Sequence, residues 1–311
     1  MTIVLILLLA IILALFIINH LLKRTWWYRN LFVDARKFTE GIPNNLQIVN
    51  LGSSQPKFAF DYQDTAWKGM NMALAPQPFL YDYRILKQYV SHLRKGAFVL
   101  IPVCPFTFFV YKYANDATNR KYYPFLQPES IEGYSHWKKC KILRFPVLMA
   151  GKRILKIVKD EKKDSRMDLE NNPMNQEQRK ADAKKWVDGW KKQFSLDDLN
   201  HINLSKKNQE SIDKNIAIVK KILALCREKE LRPVFILLPV TKELGAFFPD
   251  NYLAEYVTGN IERCKAEQEP VLNFFRDDQY SDAGLYINSF FFNKKGRDRF
   301  TKELIKRLSE L

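Results

Sequence analysis

Residues 3 to 18, IVLILLLAIILALFII, are apolar without interruption, and Leu21 and Leu22 extend the run past Asn19 and His20. A helix rises 1.5 Å per residue, so about 20 such residues cross a hydrocarbon core. A helix in a soluble core is normally apolar on one face, whereas this run has no polar face for four turns. No basic residue precedes it and no small-x-small pattern follows, so the expectation is an uncleaved N-terminal anchor over residues 1–22 rather than a removable signal. Lys23, Arg24, Trp26, Trp27, Tyr28 and Arg29 follow as a basic and aromatic collar, opening a juxtamembrane linker over residues 23–45. Positive residues prefer the cytoplasmic side, which leans the body of the protein towards the cytoplasm without excluding the other face.

From residue 46 the pattern changes to short apolar runs alternating with amphipathic ones. LQIVNLG (46–52) and KGMNMALA (68–75) predict strands. DYRILKQYVSHLRKG (82–96) puts Leu86, Tyr89, Val90 and Leu93 on one helical face with Gly96 as its stop. AFVLIPVC (97–104) is a continuous apolar run, as expected of a strand buried on both faces. The motif returns after residue 208: an amphipathic helix carrying Ile212, Ile216, Val219, Leu223 and Cys226, then the strand PVFILLPV (233–240). A helix near 251–267, the strand PVLNFF (270–275) and a closing helix over 296–311 complete it. This alternation predicts an α/β protein: a three-layer, flavodoxin-like parallel sheet carrying the N-terminal helix and a helical insertion. Ligands in such sheets bind at the carboxyl ends of the strands.

The sheet segments are 46–104 and 208–311, and the stretch between them, 105–207, differs in character. It starts aromatic (PFTFFVYKYANDATNRKYYPF) and becomes Lys-rich and helical, with KRILKIVKDEKKD and KKWVDGWKKQF. Trp186 and Trp190 stand i, i+4 among Lys184, Lys185, Lys191 and Lys192. Such a helix offers a platform for a sugar chain or an anionic lipid, or else the two indoles dock the insertion on the core while the lysines stay solvated.

Composition adds limits. The 311 residues are 47% hydrophobic, enough for one large core or two modest ones, and the excess of 50 Lys+Arg over 34 Asp+Glu gives +16. That charge suits an anionic membrane surface or a polyanionic glycan. Nucleic acid is not expected, because the lysines are interspersed with acids and no reader motif is present. Cys104, Cys140, Cys226 and Cys264 are widely spaced with no histidine at ligand spacing, so they read as buried free thiols, with no metal and no cofactor.

Gly52, Ser53 and Ser54 end the first strand of the body. A serine hydrolase on a parallel sheet needs its hydroxyl at such a strand end, facing oxyanion donors. Strand, G-S-S, a second strand with Gly69 and Asn71, and FFNKKG before the last helix together resemble the SGNH (GDSL-like) hydrolase superfamily. Within it the chain resembles the membrane-anchored bacterial proteins that handle cell-envelope or capsular polysaccharide. The resemblance covers roughly 45–104 and 230–310. It implies Ser54 as nucleophile, Gly69 and Asn71 as oxyanion donors, and a D-x-x-H block before the final helix. With Asn293, Lys294, Lys295 and Gly296 aligned, that block reads Asn288, Ser289, Phe290 and Phe291, so both the aspartate and the histidine are replaced.

A serine at its ordinary pKa needs a base. Asp278 and Asp282 lie upstream, and of the four histidines His136, in GYSHWKK, is the best placed substitute. Two readings stand. One is a membrane-anchored esterase or O-acyltransferase acting on an envelope polymer, with a non-standard base and an acyl-donor membrane protein as partner. The other is a catalytically inactive protein of the same fold, binding a ligand or scaffolding polysaccharide assembly. Trp186 and Trp190 would contact the glycan in either.

Overall fold

The computed structural model describes residues 2–112, 116–159 and 174–311. Its main elements in chain order are α1 (Thr2–Arg24), α2 (Trp26–Phe32), β1 (Leu46–Asn50), α3 (Ser54–Ala59), β2 (Gly69–Asn71), α4 (Phe79–Tyr89) and β3 (Leu93–Val103). Then come α5 (His136–Leu143), α6 (Pro146–Ala150), α7 (Ile154–Lys159), α8 (Gln176–Phe194), α9 (Lys206–Glu228), β4 (Arg232–Leu237), α10 (Gly259–Cys264), β5 (Val271–Asn273) and α11 (Lys294–Ser309). They form two compact units, one from Met1–Ile42 with Ala114–Ser165 and the other from Pro43–Tyr113 with Arg166–Leu311.

The second unit holds a five-stranded, wholly parallel sheet in the order β2-β1-β3-β4-β5. This is the flavodoxin-like order, whose switch point lies between β1 and β3. Side chains alternate across the strands. Ile48, Phe98, Leu100, Val234 and Ile236 meet Ala59 of α3 and Phe300, Leu304 and Leu308 of α11 on one face. Against the opposite face α4 packs on α9, which buries Ile212, Ile216, Val219, Ile222, Leu223 and Cys226. β3 from Ala97 and β4 from Val234 onward are buried on both sides, which is why they read as continuous apolar runs.

Several boundaries differ from the sequence pattern. The helix expected over 82–96 is α4, which starts three residues earlier and ends at Tyr89, and β3 begins at Leu93. Gly96 is therefore no helix stop. It sits inside β3 at φ +73°, where the pairing with β1 slips register, and its N–H donates to the Glu230 carbonyl at 2.7 Å. A β-bulge needs a residue that accepts positive φ, and glycine does. The helix expected near 251–267 runs as three pieces, α, π and α, ending in α10.

Of the stretch 105–207, residues 105–112 and 174–207 lie in the sheet-bearing unit and 116–159 in the other. Asn215 Nδ2 donates to the Phe108 carbonyl (2.6 Å), Tyr252 Oη to that of Pro105 (2.7 Å) and Asn208 Nδ2 to that of Phe194 (2.7 Å), tying these segments to α9 and its neighbours. The end of the predicted Lys-rich helix, residues 160–164, lies outside the described residues.

In the first unit α1 is long and apolar enough to cross a membrane, with a mean hydropathy of 3.1 and 6% of its most apolar window buried. Its C-terminal turns are different. Leu22 is buried in a cluster with Val147, Ala150 and Ile157, and Ile18, Trp27 and Ile154 pack against it. Asn19, the polar break in the apolar run, is also buried. Its Oδ1 accepts from the Val147 N–H (2.9 Å) at the start of α6, and its Nδ2 donates to the Leu15 carbonyl (2.9 Å). A helix start leaves its first N–H groups without intrahelical partners, and here a side chain of α1 supplies one.

Candidate functional site

The turn after β1 is held by its backbone. Gly52 has φ +112°, and a Cβ there would stand 2.6 Å from Pro56 Cγ, so only glycine fits without strain. The Gly52 N–H donates to Asp82 Oδ1 at 2.7 Å. Gln77 Nε2 donates to the same oxygen (2.5 Å) and to the Gly52 carbonyl (3.1 Å). Asp82, on α4, is almost fully buried, and that burial pushes its carboxyl up to about 7 against the pull of the two hydrogen bonds. Ser53 Oγ accepts from the Gln77 N–H at 3.0 Å. Ser54, the first residue of α3, makes no hydrogen bond through its hydroxyl among the described residues.

Both serines face a cleft of about 100 Å³ whose other walls come from the loop after β3 (Cys104, Phe106, Thr107), from Gln77, and from Trp186, Trp190 and Phe290. The cleft thus sits beyond the carboxyl ends of β1 and β3, at the switch point of the sheet. A larger hollow of about 390 Å³ shares Trp186, Trp190 and Gln193 and includes Asp182 and Lys185. Gln77 is 3% exposed, and its buried Oε1 has no hydrogen-bond partner among the described residues.

Trp186 and Trp190 are half-buried and pack on each other (centroids 5.5 Å apart) and on Phe290 (5.3 and 5.2 Å); Trp190 also meets Phe106 (5.2 Å). They dock α8 on the sheet-bearing unit and also form the aromatic wall of the cleft. A side-chain link reinforces that docking: the N–H and Oγ of buried Ser289 both donate to Asp182 Oδ2 of α8.

The other residues singled out from the sequence lie elsewhere. Gly69 opens β2 opposite Ile48, and a Cβ there would come within 2.4 Å of the Tyr62 ring; its lack of a side chain admits that ring, whose hydroxyl donates to Asn50 Oδ1 (3.1 Å). Asn71 is fully engaged. It accepts from Asn50 Nδ2 (2.9 Å) and the Ala73 N–H (3.0 Å), and donates to the carbonyls of Pro56, Lys57 and Phe60 at the end of α3. Neither is among the residues that line the cleft.

Asp282 caps a short turn through the Gly284 N–H (2.8 Å). Asp278 is exposed, 3.5 Å from Lys242, and borders a separate hollow of about 270 Å³. His136 belongs to the unit that contains α1, where its Nδ1 lies 3.3 Å from Tyr134 Oη. In the register of the D-x-x-H block, Asn288 Oδ1 accepts from the N–H groups of Phe290 and Phe291, and Phe291 packs on Phe58.

Among the described residues lining the cleft there is no His, Asp, Glu, Lys or Arg. Its one titratable group is the Cys104 thiol, which burial pushes up and which lies 2.9 Å from Thr107 Oγ1. A thiol so placed stays protonated at neutral pH and is neither base nor nucleophile. All four cysteines are free, with Cys226 and Cys264 buried and their thiols pushed up to about 12, chiefly by burial.

Gln77, Thr107 and Gln193 escaped the sequence reading, and Phe290 was named there only for its register, because side chains from separate segments acquire partners only when the chain folds. Asp82 carried a signal: it shares the i, i+3, i+4, i+7 stripe with Ile85, Leu86 and Tyr89, where a carboxylate is out of place. The class these observations define is an α/β protein with a flavodoxin-like parallel sheet, a serine-bearing, aromatic-walled cleft at its switch point and an N-terminal helix of membrane-spanning length. No protein-family model and no curated protein matches the chain.

Proposed function

We propose that this chain is a membrane-anchored, SGNH-like protein that binds a sugar ligand of the cell-envelope or capsular polysaccharide class in the cleft beside Ser54, without hydrolysing it. The observation that carries the reading is the lining of the cleft: flat indole and phenyl faces beside neutral amides and hydroxyls, with no acid or base. Aromatic faces stack on the C–H faces of sugar rings, while Gln193 and the serine hydroxyls suit ring hydroxyls. A serine without a base loses on the order of 10⁶ in rate relative to an intact triad. In the aligned block Asn288 and Phe291 replace the aspartate and the histidine, and the Asn71 amide is taken up by Asn50, Ala73 and the end of α3. The anchor is α1, with the body on the cytoplasmic side by the charge of the collar.

The esterase or O-acyltransferase reading keeps one supporting observation, the unpartnered Ser54 hydroxyl at the cleft wall. Fluorophosphonate labelling and ester hydrolysis by the full-length protein in detergent, beside Ser54→Ala, separate the two. The binding reading expects no labelling above the Ser54→Ala background. It also expects tryptophan fluorescence to report binding of envelope oligosaccharides that weakens about tenfold in Trp190→Ala. Labelling that disappears in Ser54→Ala would restore the transferase.

A further inference from the structure

The helices that pack against the end of α1 carry a basic and partly apolar exposed surface. Residues 136–159, which form α5, α6 and α7, contain eight Lys or Arg residues (Lys138, Lys139, Lys141, Arg144, Lys152, Arg153, Lys156, Lys159) and no Asp or Glu. The same stretch leaves Trp137 (61%), Leu148 (49%), Leu155 (75%) and Val158 (49%) exposed. Of its buried residues, Val147, Ala150 and Ile157 meet Leu22.

We propose that this surface of α5, α6 and α7 rests on the anionic headgroup layer of the membrane that α1 crosses. The proposal depends on α1 being membrane-spanning. Given that, the occupant follows from continuity. From Thr2, about 20 residues of α1 at 1.5 Å per residue span a hydrocarbon core of roughly 30 Å, so the turn from Asn19 to Leu22, just before Lys23 and Arg24, lies at the boundary with the headgroup region. Asn19 and Leu22, on that turn, are the residues that fasten α6 and α7. These helices are therefore held at interfacial depth, whatever the rest of the chain does.

Composition fits the same layer. Exposed Leu, Val and Trp side chains enter the boundary between headgroups and acyl chains, and Lys and Arg meet lipid phosphates. A notch of about 220 Å³ on the same unit, bordered by Arg120, Lys138, Lys141 and Leu148 with Glu132 as its one acid, offers room for a single anionic headgroup. A second copy of this chain would bring an equally basic face and be repelled.

The test uses the full-length protein in vesicles of phosphatidylcholine with phosphatidylglycerol. Leu155→Cys or Leu148→Cys is labelled with a polarity-sensitive dye in a Cys104→Ala, Cys140→Ala background, the buried Cys226 and Cys264 staying unlabelled. Carbonate extraction reports α1 independently. The expected result is blue-shifted emission, quenched by lipids bearing a spin label near the headgroup. Emission should return to aqueous values when Lys152, Arg153, Lys156 and Lys159 are all changed to Gln, with the protein still resistant to carbonate. Aqueous emission at both sites in carbonate-resistant protein would overturn the proposal while leaving the anchor intact. A shift that requires a second copy or an added protein instead of anionic lipid would also overturn it. Extraction by carbonate would remove the anchor, and the proposal with it.

Discussion

Three residues around β1 convert an ordinary strand end into a defined cleft. Gly52→Ala forces a Cβ into positive φ and against Pro56, a strain of about 2 kcal/mol, and lowers the denaturant midpoint of the sheet-bearing unit accordingly. Asn71→Ala leaves Asn50 Nδ2 only its bond to the Leu51 carbonyl (3.2 Å) and takes a donor from the carbonyls at the end of α3, costing about 2 kcal/mol. Because Asn71 does not face the cleft, its loss should reach ligand binding only through the placement of α3. Asp82 acts through pH. Its folded carboxyl, raised by burial to about 7, lies above the unfolded 3.8, so its contribution is fully present below roughly pH 4 and is lost as pH rises through 7. The shift corresponds to on the order of 4 kcal/mol across that window. Urea unfolding at pH 5 and pH 8 should show wild type weaker at the higher pH and Asp82→Asn nearly flat. Equal pH dependence in both proteins would show that the carboxyl is not titrating in the fold.

At the scale of elements, α8 forms the wall of the cleft, and its docking is polar as well as aromatic. Asp182 binds Ser289, and Arg179 reaches Glu243 at 3.1 Å with both side chains mostly buried. Asp182→Ala leaves the N–H and Oγ of Ser289 without their acceptor, at a cost of about 1–3 kcal/mol. Amide exchange across residues 176–194 should accelerate in this variant while β3 and β4 stay protected. Unchanged exchange would mean that the indoles alone hold the helix. Along α1 the corresponding contact is Asn19. Asn19→Leu removes the acceptor of the Val147 N–H and is expected to cost about 1 kcal/mol, as loss of a helix cap does.

For the whole molecule, contacts concentrate within each of two units, and each has its own hydrophobic cluster. Separate cores predict separate responses. Calorimetry of the protein in detergent should show two transitions, with Gly52→Ala shifting the one that belongs to the sheet and Asn19→Leu the other. A single transition moved by both substitutions would show that the units unfold together. The charge of +16 is spread over both units, and its densest run is residues 136–159, with eight Lys or Arg and no acid, on the unit that carries α1.

The parallel α/β class and the membrane-length helix were legible in the sequence because they follow from periodicity. A strand buried on both faces must be apolar throughout, a helix packed on one side must be apolar on a stripe, and a helix in lipid must be apolar all round. The position of Ser54 at the end of β1 was legible for the same reason. The surroundings of Ser54 were not, since Gln77, Thr107, Trp186 and Phe290 come from four separate segments and meet only through long-range packing. Gly69 and Asn71 show the same limit from the other side. Their residue types suited an oxyanion site, but glycine also admits a close aromatic ring and asparagine also caps a helix end, and only the contacts decide between these uses. Asn19 read as a flaw in an apolar helix until the fold brought the start of α6 to its side chain. Local patterns determine which elements form, because backbone hydrogen bonding and solvent exclusion act over a few residues. The chemistry of the cleft was decided by tertiary structure, because it depends on which side chains are left without partners once the elements have packed.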